Sequence, residues 1–278
     1  MRLIVSTLSI CLLFQGGVKA SDLVREQRIA EQIEEAILVG EPLRLQAGQL
    51  EFMAIYTEAE TDRPKGGVVI LHGRGAHPDW VDVVQPLRSE LPEFGWETLS
   101  LQMPVAASDA GDGAYRALVP EAYPRIKAGL KYFEDRGIRH ILLLGHSLGA
   151  RMAVGFVATE GPDEIKAMVL VGPFIHRSEQ ELVLQSMEKI TIPILDIYGS
   201  RDLDEVLKTS KARANAARRA GNTAYRQIEV QGADHFFNGL SDTLVARVRA
   251  WIDRFGRTGD ETEKRAEPEK ASQAGNRS

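Results

Sequence analysis

The hydrophobic positions of this chain form two kinds of segment that alternate along the sequence. Short, almost wholly apolar runs are typical of strands that are covered on both faces. Longer segments with apolar residues at helical spacing follow most of them. The predicted strands are residues 67–71, 96–103, 140–144, 167–171, 192–199 and 225–230. The predicted helices are residues 80–94, 114–136, 150–158, 179–189, 204–220 and 243–255.

The first sixty residues have a different pattern. Residues 21–39 have apolar positions near helical spacing, with Ser21 or Asp22 as the N-cap. Residues 43–45 and 49–57 predict an antiparallel pair of strands that turns at Ala47-Gly48.

Two local features refine the predicted helices. Pro120 and Pro124 are expected to bend or interrupt the helix over 114–136, because proline removes a backbone donor. Ser241 or Asp242 is expected to cap the last helix.

The strict alternation of strands and helices over 66–256 predicts a predominantly parallel sheet with helices on both faces. We therefore expect residues 21–256 to form a single α/β domain. Only about twenty residues separate Val171 from Ile192, so an insertion there has room for one helix and a turn. This length excludes a large cap domain.

The two ends of the chain differ from the middle in the pattern of their residues. Residues 1–20 have the pattern of a cleaved secretory signal peptide, with Arg2 before an apolar run and Ala20 at the cleavage site. Residues 257–278 contain almost no large apolar side chain and predict a disordered polar tail. These features favour a periplasmic or secreted protein whose mature chain is not inserted stably in a membrane. Cys11, the single cysteine, lies in the signal segment, so no disulfide is expected.

Charge and histidine spacing exclude two classes of function. The 278-residue chain has a formal net charge of −5, which argues against nucleic-acid binding. His77, His140 and His176 have no second ligand at the spacing of a metal site, and we expect neither a metal nor another cofactor.

A G-x-S-x-G pattern occupies the turn between the strand over 140–144 and the following helix. In Gly145-His146-Ser147-Leu148-Gly149 the serine stands at the tip of a tight, strained turn. Glycine suits the positions two before and two after it, because this turn leaves no room for a Cβ atom there. Such a turn lifts a serine hydroxyl above the sheet and directs the N-terminus of the next helix at it. The pattern predicts a nucleophilic Ser147.

Three further loops follow the carboxyl ends of predicted strands and carry reactive residue types. They are His72-Gly73-Arg74-Gly75, Ser200-Arg201-Asp202 and the run over 232–237 that contains His235. In a parallel sheet these ends share one edge, where the active crevice lies. Serine needs an adjacent base, so His235 is the predicted base and Asp202 the predicted carboxylate that orients it.

The order Ser147, Asp202, His235 resembles that of the α/β-hydrolases, over roughly residues 50–255. The run over 72–80 also resembles a family of exported bacterial α/β-hydrolase-like proteins of unknown function. The resemblance implies an α/β-hydrolase fold and a serine hydrolase mechanism. It also implies an oxyanion hole formed by the backbone N–H of Leu148 with that of Arg74 or Gly73.

Several of these assignments have alternatives. Asp202 alternatively caps the next helix, with Asp204 as the second choice for the acid. The Arg74 side chain is either exposed or a ligand for a substrate anion, and we favour exposure. His72 and His146 are expected to brace the site, and Arg151 is expected at a solvated or ion-paired surface position.

The expected substrate is a small ester or thioester with a modest acyl group, because the short insertion leaves the crevice open. The alternatives are a serine peptidase and a non-catalytic envelope binding or scaffold protein on the same fold. The sequence does not specify the oligomeric state.

Overall fold

The computed structural model describes residues 20–254. The predicted tail over 257–278, Cys11 and all of the predicted signal segment except Ala20 lie outside the described residues. No described helix is long and apolar enough to cross a membrane.

The described chain contains eight strands and seven α-helices. The strands are β1 (Glu41–Ala47), β2 (Leu50–Thr57), β3 (Gly66–Leu71), β4 (Trp96–Leu101), β5 (Ile141–His146), β6 (Ile165–Val171), β7 (Ile194–Arg201) and β8 (Tyr225–Asp234). The helices are α1 (Leu23–Ala36), α2 (Val84–Glu90), α3 (Asp112–Asp135), α4 (Leu148–Glu160), α5 (Gln180–Met187), α6 (Asp204–Arg219) and α7 (Ser241–Ile252). Short 3₁₀ helices over Leu91–Phe94 and Arg177–Glu179 adjoin α2 and α5.

All eight strands form one sheet with the order β1-β2-β4-β3-β5-β6-β7-β8. The first two strands are antiparallel to their neighbours, and the six strands from β3 to β8 pair in parallel. This is the predicted predominantly parallel sheet, and it brings the carboxyl ends of β3, β5, β7 and β8 to one edge.

Apolar side chains of the central strands alternate between two cores, one on each face of the sheet. In β3, Val69 and Leu71 belong to the core under α3, α4 and α5. Val68 and Ile70 point to the opposite face and pack with residues of α2 and α7. Helices therefore cover both faces, and only a 3₁₀ turn and α5 lie between β6 and β7. The prediction of a predominantly parallel α/β domain without a large cap domain is confirmed.

The N-terminal segment closes one end of the sheet. Asp22 caps α1 by accepting a hydrogen bond from the Arg25 N–H, which selects one of the two predicted caps. On the inner face of α1, Ala30 and Ile33 pack against Met53 and Ile55 of β2. β1 and β2 pair antiparallel around the predicted turn.

The predicted interruption of α3 is wrong. The helix is continuous through Pro120 and Pro124. Both prolines lie on its exposed side. There, water can bind the backbone carbonyls that lose their helical partner, so proline is tolerated within the helix.

Several predicted boundaries also differ from the structure. Residues 80–83 precede α2 as a turn, so the helix predicted over 80–94 is shorter. Residues 232–234, expected in a loop, belong to β8. Leu240 is the N-cap of α7, and Ser241 and Asp242 lie inside its first turn.

Candidate active site

Ser147 occupies the turn between β5 and α4 with φ 55° and ψ −113°. Left-handed φ values are uncommon for residues other than glycine, and strain of this kind clusters at functional sites. A Cβ on Gly145 would lie 2.5 Å from the Gly149 carbonyl carbon, and a Cβ on Gly149 would lie 2.2 Å from the Leu71 oxygen. Both glycines are therefore required by the close approach of the backbone. The turn has the geometry that the G-x-S-x-G spacing predicts.

Ser147, His235 and Asp202 lie in one hydrogen-bonded line although they are far apart in the sequence. The Ser147 Oγ is 2.9 Å from His235 Nε2, and His235 Nδ1 is 2.6 Å from Asp202 Oδ1. A carboxylate only accepts, so Nδ1 carries the proton and Nε2 accepts from the serine hydroxyl. All three residues are buried.

Asp202 is held by the backbone of its own turn. Its Oδ1 accepts the Leu203 N–H at 2.8 Å, and its Oδ2 accepts the Gly199 N–H at 3.3 Å. These bonds fix the carboxylate in the orientation that meets His235. The alternative candidate, Asp204, instead forms an exposed ion pair with Lys208.

His146 packs beside the imidazole of His235, with ring centroids 4.9 Å apart. Its Nε2–H donates to the His235 carbonyl oxygen at 3.1 Å. Burial lowers the pKa of His146 to about 3, so the ring is neutral at pH 7. The half-exposed Phe236 makes an edge-on contact with His235, with centroids 5.1 Å apart, and with His146, at 5.9 Å.

His72 fixes the loop that follows β3. Its Nδ1–H donates to the Gly73 carbonyl at 2.9 Å, and its Nε2 accepts the Met103 N–H at 2.9 Å. Burial lowers the pKa of His72 to about 3, which keeps the neutral form that can make both bonds.

The loop after β3 and the start of α4 meet at the serine. A Cβ on Gly73 would lie 3.0 Å from the Ser147 Cβ, so this backbone passes directly beside the serine. Leu148 is the first residue of α4, where an N–H has no partner within the helix. The structure thus brings together the three residues predicted for the oxyanion hole, Leu148, Gly73 and Arg74.

The Arg74 side chain turns toward the first turn of α3. It forms an ion pair with Asp112 at 2.8 Å and lies over the Tyr115 ring, 3.9 Å from its centroid. About half of the side chain is exposed, as favoured from the sequence.

A cavity of about 260 Å³ opens onto the Ser147 hydroxyl. Apolar side chains that include Trp80, Phe174 and Phe236 line much of it. Arg151 and Glu179 line it as well, and they form a buried ion pair at 2.6 Å. The expectation that Arg151 lies at the surface is wrong, because one turn of α4 brings its side chain from the Ser147 elbow to Glu179 rather than to solvent.

Sequence reasoning missed two residues at this site. Glu179 was predicted only as the start of a helix. Gly172, after β6, has φ +49°, and a Cβ there would lie 3.1 Å from His235 Nδ1. The dipeptide Gly172-Pro173 marks the end of a strand, and it was the one sequence signal that the backbone there could pack closely against a neighbouring side chain.

The described residues, 20–254, contain no group of three or more His, Cys, Asp and Glu side chains that could hold a metal ion. The site offers a hydroxyl, a base in contact with it, a buried carboxylate and nearby backbone N–H groups.

The sequence matches the family described as "Protein of unknown function (DUF3530)" over residues 20–122 and 109–254. The chain belongs to this family. A comparison with curated proteins finds no match.

Solved structures similar to this DUF3530 protein are α/β-hydrolases. An alpha-beta serine hydrolase homologue from Coxiella burnetii is 18% identical, with a TM-score of 0.60 and coverage of 77% of this chain and 98% of that chain. Est1E from Butyrivibrio proteoclasticus is 16% identical, with a TM-score of 0.62 and coverage of 77% and 98%. A dienelactone hydrolase from Anabaena variabilis is 16% identical, with a TM-score of 0.62 and coverage of 78% and 97%. At these identities the likeness establishes the hydrolase fold.

Proposed function

We propose that this protein is a serine hydrolase that cleaves a carboxylic ester or thioester through an acyl-enzyme. The observation that carries the proposal is the continuous line from the Ser147 hydroxyl through the imidazole of His235 to Asp202, with contacts of 2.9 and 2.6 Å. The resemblance of the fold to esterases and to a dienelactone hydrolase is consistent with it.

The first half of the reaction forms the acyl-enzyme. The Ser147 Oγ attacks the carbonyl carbon while its proton passes to His235 Nε2. Asp202 keeps its negative charge and stabilises the imidazolium that forms. The carbonyl oxygen, now an anion, accepts the Leu148 N–H and an N–H from Gly73 or Arg74. When the tetrahedral intermediate collapses, the alcohol or thiol leaves with the proton from Nε2.

The second half returns the enzyme to its starting state. His235 takes a proton from water, and the resulting hydroxide attacks the acyl carbon. The acid is released as Nε2 returns the proton to Ser147 Oγ. The same N–H groups bind the second oxyanion.

A fluorophosphonate probe and a panel of p-nitrophenyl esters test this function. We expect covalent labelling of the protein and ester turnover, both lost in Ser147→Ala. Ser147 and His235 act as one unit, so either substitution is expected to lower kcat by about 10⁶.

Substitution of Ser200 provides a matched control, since its hydroxyl accepts the Gly232 N–H at the same edge of the sheet but takes no part in the line. Ser200→Ala should leave labelling at Ser147 intact. A folded protein that neither reacts with the probe nor turns over any ester would refute the proposal, and turnover of aminoacyl-nitroanilides alone would favour a peptidase.

A further inference from the structure

The Arg151–Glu179 ion pair forms a wall between two cavities. On one side lies the cavity at Ser147, and on the other lies a second cavity of about 320 Å³ between α3, α4 and α5. Arg151 and Glu179 are the two residues that line both. Each side chain is only 6% exposed, so the pair fills the space between the cavities instead of projecting into solvent.

The second cavity is suited to a hydrocarbon chain. Its walls include Val119, Tyr123, Val154 and Val183. Leu182, at its edge, is 61% exposed. A chain that passed the wall would therefore contact apolar side chains in a groove that is partly open to solvent, whereas one that stops at the wall meets two charged groups.

The first cavity alone is small. Its volume of about 260 Å³ lies below the ~300–1,000 Å³ that is typical of small-molecule sites. The alcohol must lie beside His235 to receive a proton, and the described ring contacts of His235 are with Ser147, Asp202, His146 and Phe236. The acyl group then occupies another part of the cavity, and Arg151 and Glu179 line one such part.

We propose that the Arg151–Glu179 ion pair sets the upper limit on acyl length, so that the enzyme accepts short-chain acyl esters and rejects long-chain ones. This inference rests on the proposed ester hydrolase function. It makes both residues determinants of specificity, with no role in the chemical step.

The two residues can be replaced together, because the attraction within a buried ion pair is largely offset by the cost of desolvating both charges, so the pair adds little net stability. The Arg151 Nε–H has no hydrogen-bond partner among residues 20–254, so the pair is incompletely satisfied. Arg116, the second cation near Glu179 at 3.4 Å, is largely exposed and remains hydrated when Glu179 is replaced.

The test uses the double variant Arg151→Ala/Glu179→Ala, which opens the wall without leaving an unpaired buried charge. With p-nitrophenyl esters from acetate to dodecanoate, we expect the wild-type kcat/KM to fall for long acyl chains. In the double variant the ratio of long-chain to acetate kcat/KM should rise by about fourfold for each methylene that the second cavity buries. The value for acetate serves as the internal reference within each variant.

Two further variants separate the wall from the charges. Arg151→Met/Glu179→Met keeps the volume but removes both charges, and it should retain the short-chain limit. Adding Ser186→Phe to the opened variant places a bulky side chain in the second cavity, which Ser186 lines, and should restore that limit. If the alanine pair does not fold, Arg151→Ser/Glu179→Gln opens the wall with smaller loss of polar contacts, and folding is checked by thermal unfolding.

An unchanged chain-length profile in a folded, acetate-active opened variant would overturn the inference while leaving the hydrolase function in place. The inference would also be overturned if the opened variant gained activity toward acetate esters of longer alcohols and not toward esters of longer acids. A wild-type protein that hydrolyses no ester and does not react with the fluorophosphonate probe contradicts the proposed function itself.

Discussion

Gly172 shows how closely the backbone approaches the His–Asp pair. The nearest atoms to a Cβ at this position are His235 Nδ1 at 3.1 Å and Asp202 Oδ2 at 3.2 Å. These distances are shorter than ordinary van der Waals contact, so any side chain here must displace the pair by a few tenths of an ångström. Glycine is thus needed for the hydrogen bond at the site as well as for its φ of +49°.

We expect Gly172→Ala to lower kcat by about tenfold, because small displacements of a reacting group are costly. The left-handed backbone also costs roughly 1–2 kcal/mol of stability with a Cβ present. Kinetics with p-nitrophenyl acetate and urea unfolding measure the two effects.

Gly161 supplies the matched control, since it has φ +55° and a Cβ there meets nothing within 4 Å. Gly161→Ala should therefore lose similar stability and keep full kcat. Equal kcat in the two variants would contradict a role for Gly172 in positioning the pair.

At the scale of elements, a chain of buried hydrogen bonds links α1 to the loop after β3. Glu26 in α1 pairs with Arg125 of α3 at 2.8 Å, and the Arg125 Nη1–H donates to the Gln102 carbonyl at 2.9 Å. The next residue, Met103, donates its N–H to His72, and His72 binds Gly73. The N-terminal helix thereby supports the loop beside Ser147.

Removing one member of this series of hydrogen bonds should lower the free energy of unfolding. Glu26→Ala leaves Arg125, which is 1% exposed, without its charge partner. The expected loss is about 3–5 kcal/mol in the free energy of unfolding, measured with urea. Glu35→Ala, at an exposed position of the same helix, should change it by less than about 0.5 kcal/mol. Similar losses in both variants would show that the buried pair contributes nothing specific.

The elements were predicted well because apolar runs and turn residues are local signals. Ser147, Asp202 and His235 each stand at or just after the end of a strand, so strand order alone brings them to one edge. The burial of Arg151 could not be predicted in this way. It depends on Glu179, which is 28 residues away and meets Arg151 only because α4 and α5 pack together.

The continuity of α3 was missed for a related reason. A proline rule considers the lost donor and the ring, and both are local. Whether the helix continues also depends on water reaching the freed carbonyls, which is decided by the face of α3 that packs on the sheet. The sequence pattern therefore did not determine which remote elements are in contact, or which side chains those contacts leave exposed to solvent.

For the molecule as a whole, the two buried neutral histidines link stability to pH. Burial lowers the pKa of both His72 and His146 to about 3. In the unfolded chain a histidine takes up a proton below about pH 6.5. Between about pH 6.5 and 3 the unfolded state therefore binds more protons, so the free energy of unfolding falls as the pH falls.

Each histidine should contribute a slope of up to about 1.4 kcal/mol per pH unit in that window. Urea unfolding of the wild type and of His146→Gln, from pH 7 to pH 4, measures this contribution. Carboxylates also titrate there, but they are common to both proteins and largely cancel in the difference.

The variant should be less stable at pH 7, because it loses the bond to the His235 carbonyl. This difference in the free energy of unfolding should shrink by up to about 1.4 kcal/mol per pH unit below pH 6. A constant difference across the range would mean that folding does not lower the pKa of His146, so that the ring of the folded protein is protonated below about pH 6.5. The site would then carry a second positive charge beside His235, which would oppose the imidazolium that the proposed mechanism requires.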